Sequence, residues 1–331
     1  MPAGNLDTQP LLAVRNLRVA FRSNRGELVA VDGVDLDVQP GEVLGIAGES
    51  GSGKSVTLRA ILGLLHTEVS GQVLWRGRDL IGRPERELRR VRGGEIGIIF
   101  QEPMTALNPV LNVGLQILEN LKEHTQLDAA ARRARAIELL DLVGIPAAAS
   151  RLDDYPHQFS GGMRQRAMIA IALASNPKLL LADEPTTALD VTIQDQILKL
   201  ILRLRDELKM SVVLVTHDLG VIAQTCDRLA VMYAGRVAET GTVPTLFRAP
   251  RHAYTLGLLN SVPRAGLVRQ PLASIPGQPP LLSQLPPGCA FAPRCRFSTE
   301  ACTAAKPRLV EISPGHAAAC IHHDQVAAAR P

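Results

Sequence analysis

Apolar and polar side chains alternate through the first part of the chain: Leu17, Val19 and Phe21, then Val29 and Val31, then Val34, Leu36 and Val38. A period of two marks strands with one buried face. Residues 11–40 are therefore expected to form short antiparallel strands, broken at Ser23-Asn24-Arg25-Gly26, and residues 73–75 with the turn Arg76-Gly77-Arg78-Asp79 add another. Uninterrupted apolar runs at 43–47, 96–100, 179–182 and 212–215 predict strands buried on both faces, as in a parallel sheet. Helical spacing covers 112–144, including the charged, Ala-rich 128–143, and also 193–208, where Ile197, Leu200, Ile201, Leu204 and Leu208 share a face. Residues 83–92 are dense in both signs of charge and predict a solvated helix face. Residues 229–239 read as a hairpin turning at Ala234-Gly235. Eight prolines between 263 and 293 exclude regular helix and predict an extended, semi-rigid linker. The Ala-rich end is expected to be loose, and no internal repeat is found. The pattern is that of an α/β protein with a C-terminal extension.

Composition narrows the partners. Of 331 residues 46% are hydrophobic and only 3% aromatic, and 36 basic against 32 acidic residues leave a net charge of +4. That balance gives no reason to expect nucleic acid as a partner. No apolar window approaches the roughly 18 residues of a membrane helix, and the start, MPAGNLDTQP, has no basic stretch followed by an apolar run. A cytoplasmic chain that meets membranes through partners is the expectation. Five cysteines in such a chain argue against disulfides.

The chemistry centres on Gly48-Glu49-Ser50-Gly51-Ser52-Gly53-Lys54-Ser55, which follows an apolar strand and enters a helix-like segment. This is the phosphate-binding loop G-x-x-x-x-G-K-[ST] in its required context. Its glycines let backbone N–H groups face phosphate oxygens, Lys54 reaches the β- and γ-phosphates, and Ser55 can ligate Mg²⁺. A nucleoside triphosphate is the implied ligand. Residues 179–182 lead into Asp183 and Glu184, the first placed to hold Mg²⁺ through its water shell, the second to polarise an attacking water. Ser160 is a natural N-cap for a helix to about Ser175, and Gly161 and Gly162 expose its first N–H groups.

Taken in order, these motifs resemble the ATP-binding-cassette family over residues 11–260. Ser160-Gly161-Gly162 is similar to the core of the family signature Leu-Ser-Gly-Gly-Gln, departing from it at Phe159 and Met163. Gln101 matches the Q-loop, Asp190 the D-loop and His217 the switch histidine. The resemblance implies a RecA-like core, an antiparallel β-subdomain, a helical subdomain at about 102–175, a flexible N-terminus at 1–10 and an extension at 261–331. It implies that two cassettes, alike or different, sandwich two ATPs, with Lys54, Gln101, Glu184 and His217 of one facing Ser160, Gly161 and Gly162 of the other. It implies that Ser55, Gln101 and Asp183 surround Mg²⁺, and that Phe21 either stacks on adenine or is ordinary core.

Cys289, Cys295, Cys302 and Cys320 are separated by five, six and seventeen residues, without the close pairs of structural zinc sites. An iron–sulfur cluster tolerates such spacing; zinc is the alternative, with His316, His322 and His323 as further ligands, and Cys226 reads as an ordinary reduced thiol. Residues 159–166, His252-Ala253-Tyr254-Thr255 and 288–295 resemble the ATPase subunits of oligopeptide/dipeptide importers, in some of which the extension's cysteines ligate a [4Fe–4S] cluster. This implies two permeases, a second cassette and an extracytoplasmic solute-binding protein as partners, and a place on the cytoplasmic face of the plasma membrane. Nickel chelates or glutathione are rival solutes. A soluble cassette ATPase outside transport, or a metal- or redox-responsive module, would be a different class of protein.

Overall fold

The computed structural model describes residues 9–23, 26–187, 189–262 and 274–329. Most of the predicted flexible N-terminus and the first part of the proline linker lie outside these. The chain divides into two compact units, residues 1–81 with 215–331, and residues 82–214.

In the first unit, β1 (Leu12–Ser23) and β2 (Gly26–Val38) pair antiparallel from Leu12↔Val38 to Ser23↔Gly26. They are two long strands where alternation suggested several short ones. The cause is bulging: the register shifts between Val14 and Leu17 and between Val19 and Ala20, and Asn16 adopts a φ of 46°. A bulge resets the alternation without ending the strand, and Asp35 fixes this one by accepting the Asn16 N–H at 2.8 Å. β3 (Val43–Ala47) is buried at every position. β4 (Glu68–Trp75) and β5 (Arg78–Asp79) complete a sheet of order β2-β1-β4-β5, turning at Arg76 and Gly77, both at positive φ.

In the second unit, β6 (Ile96–Ile99) lies parallel to β7 (Leu179–Asp183), from Ile96↔Leu179 to Ile99↔Ala182, and β8 (Ser211–Val215) flanks β7. Helices Val113–His124 and Ala129–Leu142 begin where Asn112 and Asp128 accept N–H groups at 2.7 and 2.8 Å. Helix Val191–Leu208 buries Ile197, Leu200, Ile201 and Leu204, as its spacing predicts. Each buried aliphatic contributes about 1.5–3 kcal/mol.

Returning to the first unit, β9 (Arg228–Tyr233) pairs parallel with β3 and antiparallel with β10 (Arg236–Thr242). The extension then adds β11 (Val310–Ser313) and β12 (His316–Ala318) to the free edge of β10. The predicted loose end is instead a helix, His323–Ala328. Alanines favour helix, and Val326, fully buried beside Tyr254 and Phe291, supplies the anchor.

Glu239 of β10 is fully buried and holds this edge together. Its carboxylate accepts the N–H groups of Arg251 and His252 at 2.7 and 2.9 Å and meets His316 Nε2 at 2.8 Å. Burial pushes His252 down to about 4 from 6.5, against the opposing pull of Glu239. Because the folded state resists protonating this ring, stability is complete above about pH 6.5 and falls as pH drops towards 4. Over that interval about 3 kcal/mol is lost at about 1.36 kcal/mol per pH unit. Urea unfolding at stepped pH is expected to show this slope. His252→Asn, which keeps an acceptor for the Tyr254 N–H that Nδ1 now takes at 3.0 Å, should flatten it, even with Glu239, His316 and Arg251 still in place.

Candidate functional site

In the first unit the phosphate loop leaves β3 and enters helix Lys54–Ile61. Gly48 has no room for a side chain, since a Cβ there would lie 2.2 Å from the Met232 carbonyl oxygen, and Gly53, at φ 99°, would meet the Ala30 oxygen at 2.8 Å. Loop and sheet are thus packed backbone on backbone. Lys54 is buried, and its ammonium donates to the Gly48 and Glu49 carbonyls at 2.7 and 3.0 Å. Gly53 at the N-cap offers no capping side chain, and the dipole end of the helix faces the loop. The Ser52 hydroxyl is buried with no hydrogen-bond partner among the described residues. A helix N-terminus, a buried lysine and an orphan Ser52 hydroxyl suit a polyanion, so the residues present fit a triphosphate.

A cavity of about 470 Å³ borders loop residues 49–52, with Leu28 and the extension's Pro280 and Leu281 on its other walls. Phe21 sits in β1 opposite Leu28, half-buried. Thr216 donates its N–H to Ile46 of β3 at 3.2 Å, which sets the exposed His217 one residue beyond that anchored position. Asp218, next along, caps helix Leu219–Thr225.

The second unit carries the acidic pair. Asp183 ends β7 and is buried, and Glu184 follows with φ 46°, a conformation that costs energy for a side chain with a Cβ. Its carboxylate accepts the Thr187 hydroxyl at 2.7 Å and the Gln101 amide at 3.4 Å. Gln101 and Glu184, 83 positions apart in sequence, are thereby brought together. Ser160 caps helix Gly161–Leu173, accepting the Met163 N–H at 3.3 Å. Gly162 lies against Ile193, where a Cβ would approach to 3.1 Å, so the helix start packs on the segment that Asp190 caps. Phe159, the departure from the usual leucine, is buried as a core residue.

Three residues that motif reading passed over gather at the loop, Tyr233 of β9, Tyr254 of helix Ala253–Asn260 and Arg294 of the extension. Tyr254 accepts the Glu49 N–H at 2.7 Å, Arg294 forms a two-pronged ion pair with the Glu49 carboxylate, and Tyr233 accepts from Arg294 at 3.2 Å. Burial pushes the Tyr233 and Tyr254 hydroxyls up, keeping both neutral. Tyr254 and Arg294 lie within stretches that the sequence offered only as markers of resemblance.

The four tail thiols fall near one another. Burial raises Cys289, Cys295 and Cys320, the last to about 11. Neighbouring thiols add to this: Cys302 acts on Cys289, both act on Cys295, and Cys295 and Cys289 act on Cys320. Cys289 donates its N–H to the Cys302 carbonyl at 2.7 Å. Among the described residues no group of three or more His, Cys, Asp or Glu is arranged around a single metal ion. Two of the alternative zinc ligands are engaged elsewhere, His316 with Glu239 and His322 with the Thr299 hydroxyl at 2.9 Å, while His323 Nδ1 lies 3.3 Å from Asp324 and makes no hydrogen bond among the described residues. Cys226 stands apart, its thiol pushed by burial to about 12. No helix among the described residues is long and apolar enough to cross a membrane.

Comparison with known proteins gives a consistent set of likenesses. Residues 31–187 match the family model described as ABC transporter, and residues 238–302 match that for the oligopeptide/dipeptide transporter C-terminal region. A peptide import ATP-binding protein of Brucella melitensis biotype 1 is 50% identical over 338 residues, covering 98% of this chain and all of the relative. Another from Brucella abortus (strain 2308) is 50% identical over 319 residues, 96% of each chain. Among solved structures, a dimeric ATP-binding cassette in a post-hydrolysis state with ADP and Pi superposes with a TM-score of 0.64 at 31% identity, covering 70% of this chain and 98% of that one. cbiO1 of Clostridium perfringens, part of an ABC transporter complex, gives 0.62 at 29% identity, over 72% and 91%.

Proposed function

The chain belongs to the ABC transporter family, in the branch with the oligopeptide/dipeptide C-terminal region, and on that footing we propose how its residues couple ATP hydrolysis to peptide import. It is the ATP-hydrolysing, energy-coupling subunit of a peptide importer, associated with the membrane through permease subunits and working as a cassette dimer. Residues 11–260 form the cassette, with the helical subdomain at about 102–175, and 261–331 the extension.

Lys54 and the N–H groups of the loop hold the triphosphate. Ser55, Gln101 and Asp183 would hold Mg²⁺, which supplies charge neutralisation for the phosphates. Glu184 orients and polarises the attacking water, and His217 senses the γ-phosphate. Ser160, Gly161 and Gly162 are offered to the ATP of the partner cassette, with Asp190 beside them, and Phe21 stacks on adenine. Glu184 carries the reading: it is held at a strained φ by Thr187 and Gln101, and a costly backbone conformation at a fixed carboxylate suits a residue aimed at water. Cys289, Cys295, Cys302 and Cys320 would hold a [4Fe–4S] cluster. What supports this is that four of the five cysteines lie in the extension, with Cys289 and Cys302 joined through the backbone at 2.7 Å. When bound, the cluster supplies a covalent anchor for the extension.

On this reading the subunit sits on the cytoplasmic face, beside two permeases, a second cassette and an extracytoplasmic solute-binding protein. The test is ATP hydrolysis by the assembled complex in vesicles, with the binding protein present and a panel of peptides, nickel chelates and glutathione supplied. Hydrolysis and uptake should rise with peptides. Stimulation by a chelate or glutathione alone would sink the peptide assignment.

A further inference from the structure

Glu49 is the second residue of the phosphate loop, and its polar groups are already engaged. Its N–H donates to the Tyr254 hydroxyl at 2.7 Å, and its carbonyl accepts from Lys54 Nζ at 3.0 Å. Its carboxylate receives Arg294 Nη1 and Nη2 at 2.7 and 3.0 Å. Arg294 comes from the extension, 245 positions away in sequence, and is itself locked. Nε donates to the Pro276 carbonyl at 2.8 Å, Nη1 reaches the Tyr233 hydroxyl, and the guanidinium lies 6.0 and 5.9 Å from the Tyr233 and Phe291 ring centroids. Its side chain is 6% exposed against 26% for Glu49. A planar fork on a carboxylate fixes position and angle together.

A carboxylate in a loop that receives a triphosphate opposes its ligand unless a cation neutralises it. An unpaired Glu49 would also have a competing choice. Lys54, already on its carbonyl, could turn to its carboxylate and be lost to the phosphates. We infer that Arg294 is a positioning residue of the nucleotide site, holding and neutralising Glu49 so that the loop keeps its shape and Lys54 stays available to phosphate. The extension is then part of ATP binding as well as an appendage to the fold. This rests on the ATP reading of the loop given above.

The test is the Kd for MgATP of the full chain by titration calorimetry. Arg294→Ala is expected to weaken binding about tenfold, less than for a charge pair made with the ligand itself, because Arg294 acts on the nucleotide through Glu49. Adding Glu49→Gln should bring affinity back to within about threefold of the unsubstituted chain, because the offending charge is gone. A role confined to folding the extension would not be rescued by changing the loop. Arg294→Lys, which keeps the charge but not the fork, gives the same reading in a gentler form: about threefold weaker, and again restored by Glu49→Gln. Unchanged affinity in both single variants, or no recovery in the double variants, overturns the clamp. Failure of the unsubstituted chain to bind MgATP would sink the ATP reading itself.

Discussion

Replacing Glu184 with Gln is expected to lower steady-state ATP hydrolysis by the assembled complex at least about 100-fold, the scale of losing a general base, while the Kd for MgATP stays within about threefold. The substitution is nearly isosteric. A glutamine at 184 can still accept the Thr187 hydroxyl that now sits 2.7 Å from the carboxylate, so the strained turn after β7 keeps its tether. What it loses is the negative charge to which the proposed mechanism assigns the polarising of water. In the proposed mechanism binding rests on the loop of the first unit, where Lys54 is untouched. The expected signature is therefore a fall in kcat with binding preserved, measured as phosphate release beside calorimetric Kd. Normal turnover in the complex would remove Glu184 from its assigned role, and loss of both turnover and binding would mean that the turn had collapsed.

The loop was legible because its chemistry is local. Eight consecutive residues carry the glycines, the lysine and the serine, and the buried strand before them and the helix after them announce themselves by pattern. Strands β6, β7 and β8 and helix Val191–Leu208 were legible for the same reason, since full burial leaves unbroken apolar runs and one-sided burial leaves a helical stripe. The long strands β1 and β2 were read as fragments because a bulge at Asn16 changes the phase of alternation, and an asparagine at φ 46° looks like any turn residue.

The unread part is held by contacts between distant positions. Glu49 meets Tyr254 and Arg294 across 205 and 245 positions, and nothing near Glu49 in sequence marks it as half of an ion pair. The extension suffered most. Its prolines suggest a semi-rigid linker and its Ala-rich end a loose tail, yet one buried valine, one phenylalanine and a two-strand hairpin dock it. Phe291 stands edge-on to Tyr233 at 5.3 Å and tilted to Tyr254 at 5.4 Å. A short segment with few apolar residues can dock firmly when the surface it meets is already aromatic.

Cys302→Ser is the sharpest probe of the tail, because Cys302 is its most buried thiol at 7% exposed. The unsubstituted chain, purified without air, is expected to carry about four iron and four sulfide and to show visible charge-transfer absorbance. The variant should carry less than about one iron, since a serine hydroxyl is a poor substitute for a thiolate in this donor set. Loss of the anchor also frees the chain from Cys289 to Cys320. Closing a loop of that length is worth about 3–4 kcal/mol in chain entropy, so the extension should melt roughly 12–30 °C lower and become open to protease between those residues. Burial makes the outcome asymmetric: thiols raised by their surroundings stay protonated and give no charge to hold the segment by themselves. Zinc at one equivalent in place of iron and sulfide would turn the site to the alternative metal. A chain free of both metals, with the same melting temperature in the variant, would leave the four cysteines as packed thiols and remove the anchor altogether.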